Sequence, residues 1–366
     1  MDPSLKSGVQ GLRPWREREG RALALRPTGS MPQSITILGA GITGLWQALT
    51  LARAGHAVHL IERSPASAPF THAASRYAGA MLAPDCEAES APALVRDLGR
   101  ETIPLWRAVY PALSTRGTLV VALPREPAEL NRFARATAHH TRLSAPALAR
   151  LEPDLAARFD AALYFPDEAH MSAPAALAHL LEAAQAAGVR MTFGTPATQA
   201  DPGSILIDCR GLAASAEVPT LRGVRGERVV VHAPEVNLTR PVRLLHPRVA
   251  LYIVPWPGHV YMIGATVIES ADDGPMSVRS ALELLGAASL LHAGFAEAAI
   301  LELGAGVRPA LPDNIPRVIV EQGGRALRVN GAYRHGYLLA PMLAQATLNY
   351  FAGHDHPLLQ HEGLIA

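Results

Sequence analysis

A glycine-rich segment near the start of the chain has the spacing of a phosphate-binding turn. It reads G-x-G-x-x-G and consists of Gly39, Ala40, Gly41, Ile42, Thr43 and Gly44. The first glycine permits a tight turn, the second lets the backbone approach a pyrophosphate, and the third lets a helix pack closely on a sheet. A helix that begins here directs free N–H groups and a partial positive charge at the phosphates. The spacing therefore indicates a dinucleotide held by the backbone.

The segments on either side of this turn predict a complete dinucleotide-binding unit. The β-branched run 34–38 predicts a buried strand, 45–54 predicts a helix, and 57–61 predicts a second strand. The second strand leads into Glu62, which is followed by Arg63. A carboxylate at this point can hold ribose hydroxyls, and it repels the 2′-phosphate of NADP. The unit by itself does not distinguish FAD from NAD.

Two arginines and a tyrosine further along the chain could bind a carboxylate. Arg308 and Arg334 each lie in a predicted glycine-rich turn, within 304–309 and 329–341. A guanidinium group can hold a carboxylate through two parallel hydrogen bonds, which a lysine cannot do. A solvated surface charge or a structural ion pair is the alternative for either arginine. Tyr252 lies in a predicted strand, where core packing is its alternative role.

The composition is that of a globular protein large enough for two domains. Among the 366 residues, 49% are hydrophobic and 18% charged, and the formal net charge is +1. This charge gives no electrostatic argument for nucleic acid or a membrane surface, and no apolar run is long enough to span a membrane. Cys86 and Cys209 form neither a disulfide framework nor a zinc motif. We therefore expect no metal site and a cytoplasmic location.

The first 30 residues differ from the rest of the chain. They are rich in arginine and glutamate and show almost no apolar periodicity. The pattern predicts a disordered extension at 1–30, with Met31 as an alternative start. An arm that binds a partner protein is the other interpretation.

A loop of small residues and three later segments carry a family resemblance. The loop 75–84 reads S-R-Y-A-G-A-M-L-A-P, and 221–227 reads L-R-G-V-R-G-E. Together with 205–211 and 329–341, these segments resemble the D-amino-acid oxidase superfamily of FAD-dependent oxidoreductases, and within it the glycine oxidases. The resemblance covers about residues 34–352, with Ala80 in place of a second glycine in the loop.

The resemblance implies FAD as the cofactor. No cysteine follows Arg308 where some relatives attach the flavin, so non-covalent binding is expected. Near the flavin, the last helix is expected to act through backbone N–H groups. The FAD contacts that the resemblance and the glycine turn imply are Gly39, Ala40, Gly41, Ile42, Thr43, Gly44, Glu62, Arg63, Ser75, Ala78, Gly79, Ala80, Met81, Ala197, Gly211, Arg334, His335, Gly336, Tyr337, Leu338 and Leu339.

The same resemblance implies a substrate site. Arg308 is expected to clamp the substrate carboxylate, Arg334 to make a second contact near the substrate or flavin, and Tyr252 to cover the pocket and donate to the carboxylate. The apolar residues expected to line the pocket are Met81, Ala83 and Val267.

The implied reaction is oxidative deamination of glycine, with sarcosine or D-alanine as alternative substrates. Hydride transfer to the flavin gives an imine, which water converts to glyoxylate and ammonia, while oxygen becomes hydrogen peroxide. The implied partners are this small substrate and oxygen, other copies of the same chain in a homo-oligomer, and a thiazole synthase of thiamine biosynthesis that receives the imine. Competing hypotheses are a sarcosine oxidase, a D-amino-acid dehydrogenase, an NAD-dependent dehydrogenase and a non-catalytic flavoprotein subunit.

The predicted fold is α/β, with a Rossmann-type FAD domain and a second domain built on a mixed, largely antiparallel sheet. The FAD domain is expected to be discontinuous, at 31–90, 145–218 and 305–366. The substrate domain is expected at 91–144 and 219–304.

Overall fold

The computed structural model describes residues 31–196, 198–246 and 251–362. Its α-helices are α1 (Ile42–Arg53), α2 (Pro84–Glu87), α3 (Ala93–Val109), α4 (Pro127–Ala136), α5 (Ala145–Leu151), α6 (Ala173–Ala186), α7 (Val278–Leu291) and α8 (Gly336–Phe351). Its strands are β1 (Ser34–Leu38), β2 (Ala57–Ile61), β3 (Met81–Leu82), β4 (Thr118–Ala122), β5 (Thr141–Ser144), β6 (Ala161–Phe165), β7 (Ala169–His170), β8 (Arg190–Thr192), β9 (Ile205–Asp208), β10 (Arg222–His232), β11 (Val242–Leu245), β12 (Leu251–Trp256), β13 (Val260–Gly264), β14 (Ile268–Glu269), β15 (Ala299–Ala310), β16 (Arg317–Glu321), β17 (Ala326–Asn330) and β18 (Leu359–His361). The expectation of disorder at 1–30 lies outside the described residues.

The first sheet is the predicted Rossmann-type layer. Its seven strands run in the order β18-β16-β17-β9-β1-β2-β8. The central strand β1 pairs in parallel with β2 and β9, and its residues Ile35 and Ile37 are almost fully buried. Helix α1 packs against α6 and α8. Strands buried on both faces are expected to be continuously apolar, which is how this strand was recognised in the sequence.

The second sheet is mixed and largely antiparallel, as predicted. From β5 it runs through β6, β4, β11, β12 and β13 to β10, and the edge strand β15 pairs along almost the whole of β10. Only β4 and β11 pair in parallel. Helix α7 covers this sheet through a separate apolar core that includes Val229, Ile253 and Leu284. The fold class predicted from the sequence is confirmed.

The boundaries between the two regions differ from the predicted ones. Strand β6 pairs with β4 and β5 in the second sheet, so the predicted return to the FAD region at 145 is about twenty residues too early. Leu148 and Leu155 have no exposed surface because they pack into the core of the second sheet. At the other end, β15 continues in the second sheet to Ala310, beyond the predicted boundary at 305.

None of the described helices combines the length and the apolar character needed to cross a membrane.

Candidate active site

The glycine turn between β1 and α1 requires glycine at two positions for steric reasons. Gly39 has a φ of 96°, and a Cβ there would lie 2.8 Å from the carbonyl oxygen of Cys209. A Cβ at Gly44 would overlap the carbonyl oxygen of Gly39. Helix α1 therefore sits directly against the turn, and its first free N–H groups open into the cavity described below.

Glu62 connects the end of β2 to this turn. One carboxylate oxygen accepts the Ala40 N–H at 2.7 Å, and the other accepts the N–H and hydroxyl of Ser64 at 2.8 and 2.7 Å. The side chain is 7% exposed and borders the cavity. A carboxylate offers about four acceptor positions. The predicted contact to ribose hydroxyls is therefore compatible with these bonds, and Glu62 also fixes the shape of the turn.

One continuous cavity of about 710 Å³ extends from the glycine turn to Arg308. Most of the predicted FAD contacts lie along it. They are Gly39, Gly41, Ile42, Thr43, Glu62, Arg63, Ser75, Ala78, Gly79, Ala80, Met81, Gly211, Arg334, His335, Gly336, Tyr337 and Leu338. Ala40 and Gly44 lie behind the turn, and Ala197 lies outside the described residues, although its neighbours Pro196 and Thr198 line the cavity.

Helix α8 presents a second set of backbone donors. It begins at Gly336, and the N–H groups of its first three residues have no acceptor within the helix. These residues line the cavity. The prediction for Leu339 is wrong, because its N–H donates to the His335 carbonyl at 2.7 Å as the first bond of the helix. The donor set thus ends one residue earlier than predicted.

The side chain of Tyr337 holds this helix start in place. Its hydroxyl donates to the carbonyl oxygens of Ser75 and Ala173, and its own carbonyl accepts from the Trp106 indole at 2.8 Å. The hydroxyl of Tyr337 is thus already bonded to the protein, and its backbone N–H at the start of α8 is the group that the predicted cofactor contact would use.

The loop 75–84 joins the two ends of the cavity. The Ser75 hydroxyl accepts the Ile42 N–H at 3.2 Å, which ties the loop to α1. A Cβ at Gly79 would lie 2.8 Å from the Tyr252 ring, so this glycine allows the loop to cross β12. Ala80, which replaces a family glycine, has a φ of 51°, a conformation that costs an alanine free energy. Met81 follows in β3 and faces the cavity.

Arg308 lies at the substrate end of the cavity, on β15 and not in the predicted turn. The glycines that suggested a turn instead make room for side chains. The Tyr77 ring packs onto Gly304 and Gly306, and the Arg308 guanidinium lies directly over Gly226 of β10, where any Cβ would overlap it.

The Arg308 guanidinium is poorly compensated. It donates to the Thr266 carbonyl at 3.2 Å, and no ion pair of the described residues includes it. Burial lowers its pKa, whereas the neighbouring Tyr252 hydroxyl acts in the opposite direction. A buried cation without a carboxylate partner is costly. The arrangement is therefore suited to an anionic ligand that enters through the cavity.

Arg334 is close to Arg308 but already has a partner. It donates to Glu87 at 3.2 Å, and this carboxylate raises its pKa. His335 lies 3.8 Å from the same carboxylate, and burial lowers the pKa of its imidazole. The alternative weighed for Arg334, a structural ion pair, is thus present in the structure, beside the cavity.

The prediction that Val267 lines the pocket is wrong. Its side chain is 47% exposed and does not border the cavity. Strand β13 ends at Gly264, and it is the Thr266 carbonyl that accepts a hydrogen bond from Arg308. Met81, Ala83 and Tyr252 do border the cavity.

The sequence analysis missed several cavity residues, among them Glu87, Arg243 and Gly226. Glu87 ends the short helix α2 that follows the loop, Arg243 lies in the apolar strand β11, and Gly226 lies opposite Arg308. An acidic residue three positions after Pro84 and a lone arginine in V-R-L-L were the available signals. Neither pattern indicates which residue across the fold it meets.

A buried carboxyl group is hydrogen-bonded to a residue of the cavity wall. Glu168 has no exposed surface and accepts the Cys86 N–H at 2.7 Å. Burial raises the pKa of Glu168 to about 7. This group is therefore close to half protonated at neutral pH, behind the residues that line the substrate end.

The described part of the chain contains no group of three or more His, Cys, Asp and Glu side chains placed to hold a metal ion. The donors present fit FAD instead. Two helix starts supply N–H groups, one at the glycine turn for a pyrophosphate and one at α8 for an electron-rich ring edge. The cavity that joins them is continuous.

Comparison with known proteins agrees with this assignment of the site. The family described as FAD dependent oxidoreductase (DAO) matches residues 34–349. The chain belongs to this family of flavoenzymes, and its cofactor is FAD.

Individual relatives carry more specific names. A protein of Rhizobium etli, provisionally named the thiamine biosynthesis oxidoreductase ThiO, is 49% identical over 85% of this chain and 94% of its own length. The bifunctional protein ThiO/ThiG of Trichormus variabilis is 26% identical over 90% of this chain and 54% of its own length.

A glycine oxidase of Geobacillus kaustophilus is 28% identical over 84% of this chain and 90% of its own length. A crystal structure of glycine oxidase from the same organism has a TM-score of 0.73 at 23% identity, covering 89% of this chain and 96% of that one.

Proposed function

We propose that this flavoenzyme oxidises a small amino acid, glycine, to its imine, with oxygen as the electron acceptor. The observation that carries the proposal is the Arg308 guanidinium, which is partly buried at the end of the FAD cavity and has no carboxylate partner among the described residues. A substrate with one carboxylate supplies the missing anion. The names of the relatives from Rhizobium and Geobacillus support the same reaction.

The chain's residues bind and orient the substrate. Arg308 holds the carboxylate, and Tyr252 lies beside it and donates from its hydroxyl. Arg334 adds a second positive charge near this position, partly compensated by Glu87. Met81 and Ala83 give the remaining wall an apolar surface. With its carboxylate fixed, a small amino acid has few orientations left for its α-carbon.

When bound, FAD would supply the two-electron redox chemistry between the substrate α-carbon and oxygen. The balanced reaction converts glycine, oxygen and water to glyoxylate, ammonia and hydrogen peroxide. The first N–H groups of α8 contribute positive potential at the adjoining end of the cavity.

The imine itself is the proposed product in the cell. The Trichormus relative combines ThiO and ThiG in one protein, which supports a transfer of the imine to thiazole synthesis. We propose the same link for this chain.

The direct test is hydrogen peroxide release from the purified, FAD-loaded protein in air. Glycine, sarcosine and D-alanine are supplied separately, and a second series contains an artificial electron acceptor. Peroxide from glycine at a rate at least comparable to the other two substrates supports a glycine oxidase. If only the artificial acceptor is reduced, the enzyme is a dehydrogenase and the oxidase proposal fails.

We further propose that FAD is bound without a covalent bond. After acid precipitation and centrifugation, the yellow colour should remain in the supernatant. Colour in the protein pellet would contradict the proposal.

A further inference from the structure

Arg243, Arg308 and Arg334 border the substrate end of the cavity, and their charges are compensated unequally. Arg243 pairs with Glu89 at 2.8 Å, and Arg334 pairs with Glu87 at 3.2 Å. Among the ion pairs of the described residues, none includes Arg308. Of these three arginines at the substrate end, Arg308 is therefore the one that no ion pair of the described residues compensates.

Glu87 is placed so that its charge determines whether Arg334 is available to a ligand. Its side chain is 21% exposed and borders the cavity. One carboxylate oxygen accepts from Arg334, and the other is buried and has no hydrogen-bond partner among the described residues. Burial raises the pKa of Glu87, but Arg334, His335 and Arg243 together lower it below the ordinary value. The group therefore stays negatively charged at neutral pH.

We propose that Glu87 is a specificity-determining residue, which occupies Arg334 and so restricts the site to amino acids with a single carboxylate. This inference rests on the proposed function, since it concerns the substrate class of the same site. A second carboxylate on the substrate would meet a negative charge at Glu87 and would find Arg334 already paired. Specificity of this kind depends on repulsion of the wrong ligand as much as on attraction of the right one.

The test compares two N-substituted glycines that differ in one charge. Sarcosine carries an N-methyl group, whereas iminodiacetate carries an N-carboxymethyl group. In the Glu87→Gln variant, the ratio of kcat/KM for iminodiacetate to that for sarcosine should rise by about tenfold or more over the wild type. Glutamine keeps an acceptor for Arg334 but removes the charge. An unchanged ratio would overturn the proposal.

A binding measurement separates this inference from the proposed function. Acetate and malonate are titrated into the FAD-loaded protein, and binding is followed by the change in the flavin absorption spectrum. Glu87→Gln should tighten the binding of malonate by about tenfold relative to the binding of acetate, even if the protein oxidises no amino acid. Equal effects on the two ligands would overturn the inference without touching the oxidase proposal.

A double variant shows whether the tighter binding of malonate depends on Arg334, and a control variant shows whether any lost carboxylate has the same effect. The double variant Glu87→Gln/Arg334→Met should lose the preference gained for malonate, and a gain that persists would contradict the proposal. Glu269→Gln is the matched control, because its carboxylate pairs with Arg222 and is 67% exposed, away from the cavity. It should leave the ratio unchanged. If Glu87→Gln does not retain FAD, Glu87→Ala is measured with the same expectation.

Discussion

The two ends of the cavity are built in different ways. The nucleotide end uses the backbone of one short segment, the turn at Gly39–Gly44, together with Glu62 at the end of the next strand. The substrate end uses side chains from distant segments, with Glu87, Tyr252, Arg308 and Arg334 converging on it. Binding at the nucleotide end depends on glycines, which leave room for the backbone to approach the ligand. Binding at the substrate end depends on which charged side chains are already paired.

The largest expected effect is the loss of the cofactor from the nucleotide end. Gly44→Ala places a Cβ against the Gly39 carbonyl, so either the turn or α1 must shift. We expect the variant to purify with little or no FAD. The measurement is the flavin content per chain after gel filtration, with circular dichroism to check folding. Gly286→Ala in α7, where an added Cβ meets nothing within 4 Å, is the control and should keep its full flavin content.

At the substrate end, an added methyl group should act on the substrate and not on FAD. Gly226→Ala would displace the Arg308 guanidinium that lies over it. Loss of a charge-assisted contact is worth about 2 to 4 kcal/mol, or roughly 30-fold to 1,000-fold in kcat/KM for glycine. Steady-state kinetics on flavin-saturated protein measure this effect. Normal kinetics would show that Arg308 does not bind the carboxylate.

A third prediction concerns Glu168, the buried carboxyl group next to the substrate end of the cavity. The raised pKa of Glu168, about 7 against an ordinary 4.5, means that the folded state binds this proton more tightly than the unfolded state. Its contribution to stability is therefore present below pH 4.5 and is lost as the pH rises through 7. Glu168→Gln should avoid this loss and gain up to about 3 kcal/mol over the wild type at pH 8.

Urea unfolding of both proteins between pH 5 and pH 8 checks this prediction. The difference in the free energy of unfolding should grow with pH. His170, whose pKa burial lowers to about 4, is present in both proteins and cancels in the comparison. A difference that does not change with pH would mean that Glu168 titrates normally.

The smallest expected effect is at Tyr252. Tyr252→Phe keeps the ring that packs on Gly79 and removes only the hydroxyl next to Arg308. We expect a loss of about 1 kcal/mol, or roughly fivefold, in the apparent affinity for glycine with unchanged FAD content. The KM for glycine is the quantity to compare. A change in flavin content would place the hydroxyl at the cofactor instead.

The difference between the two ends also explains what the sequence could predict. Strands β1 and β2 have the predicted bounds, because contiguous apolar patterns and turn residues specify them locally. The same is true of the glycine turn with Glu62. Arg308 and Tyr252 were found through the family resemblance, although Arg308 lies on a strand where a turn was expected.

What could not be predicted depends on contacts between distant segments. Glu87 and Arg334 are 247 positions apart, and no local pattern relates them. The family resemblance predicted Val267 in the cavity, but strand β13 ends at Gly264 and the Val267 side chain is 47% exposed. The N–H of Leu339 makes the first hydrogen bond of α8 and is therefore not free to bind the cofactor. This outcome depends on the exact residue at which the helix begins, which a sequence pattern does not specify.

The most direct test of the account is anaerobic reduction of the bound flavin by glycine in Arg308→Ala and in the wild type. Because different residues form the nucleotide end and the substrate end of the cavity, the variant should retain FAD like the wild type. Its flavin absorption should bleach only at glycine concentrations roughly 30-fold or more above those that bleach the wild type. Bleaching at the same concentrations in both proteins, or loss of FAD from the variant, would contradict the central claim.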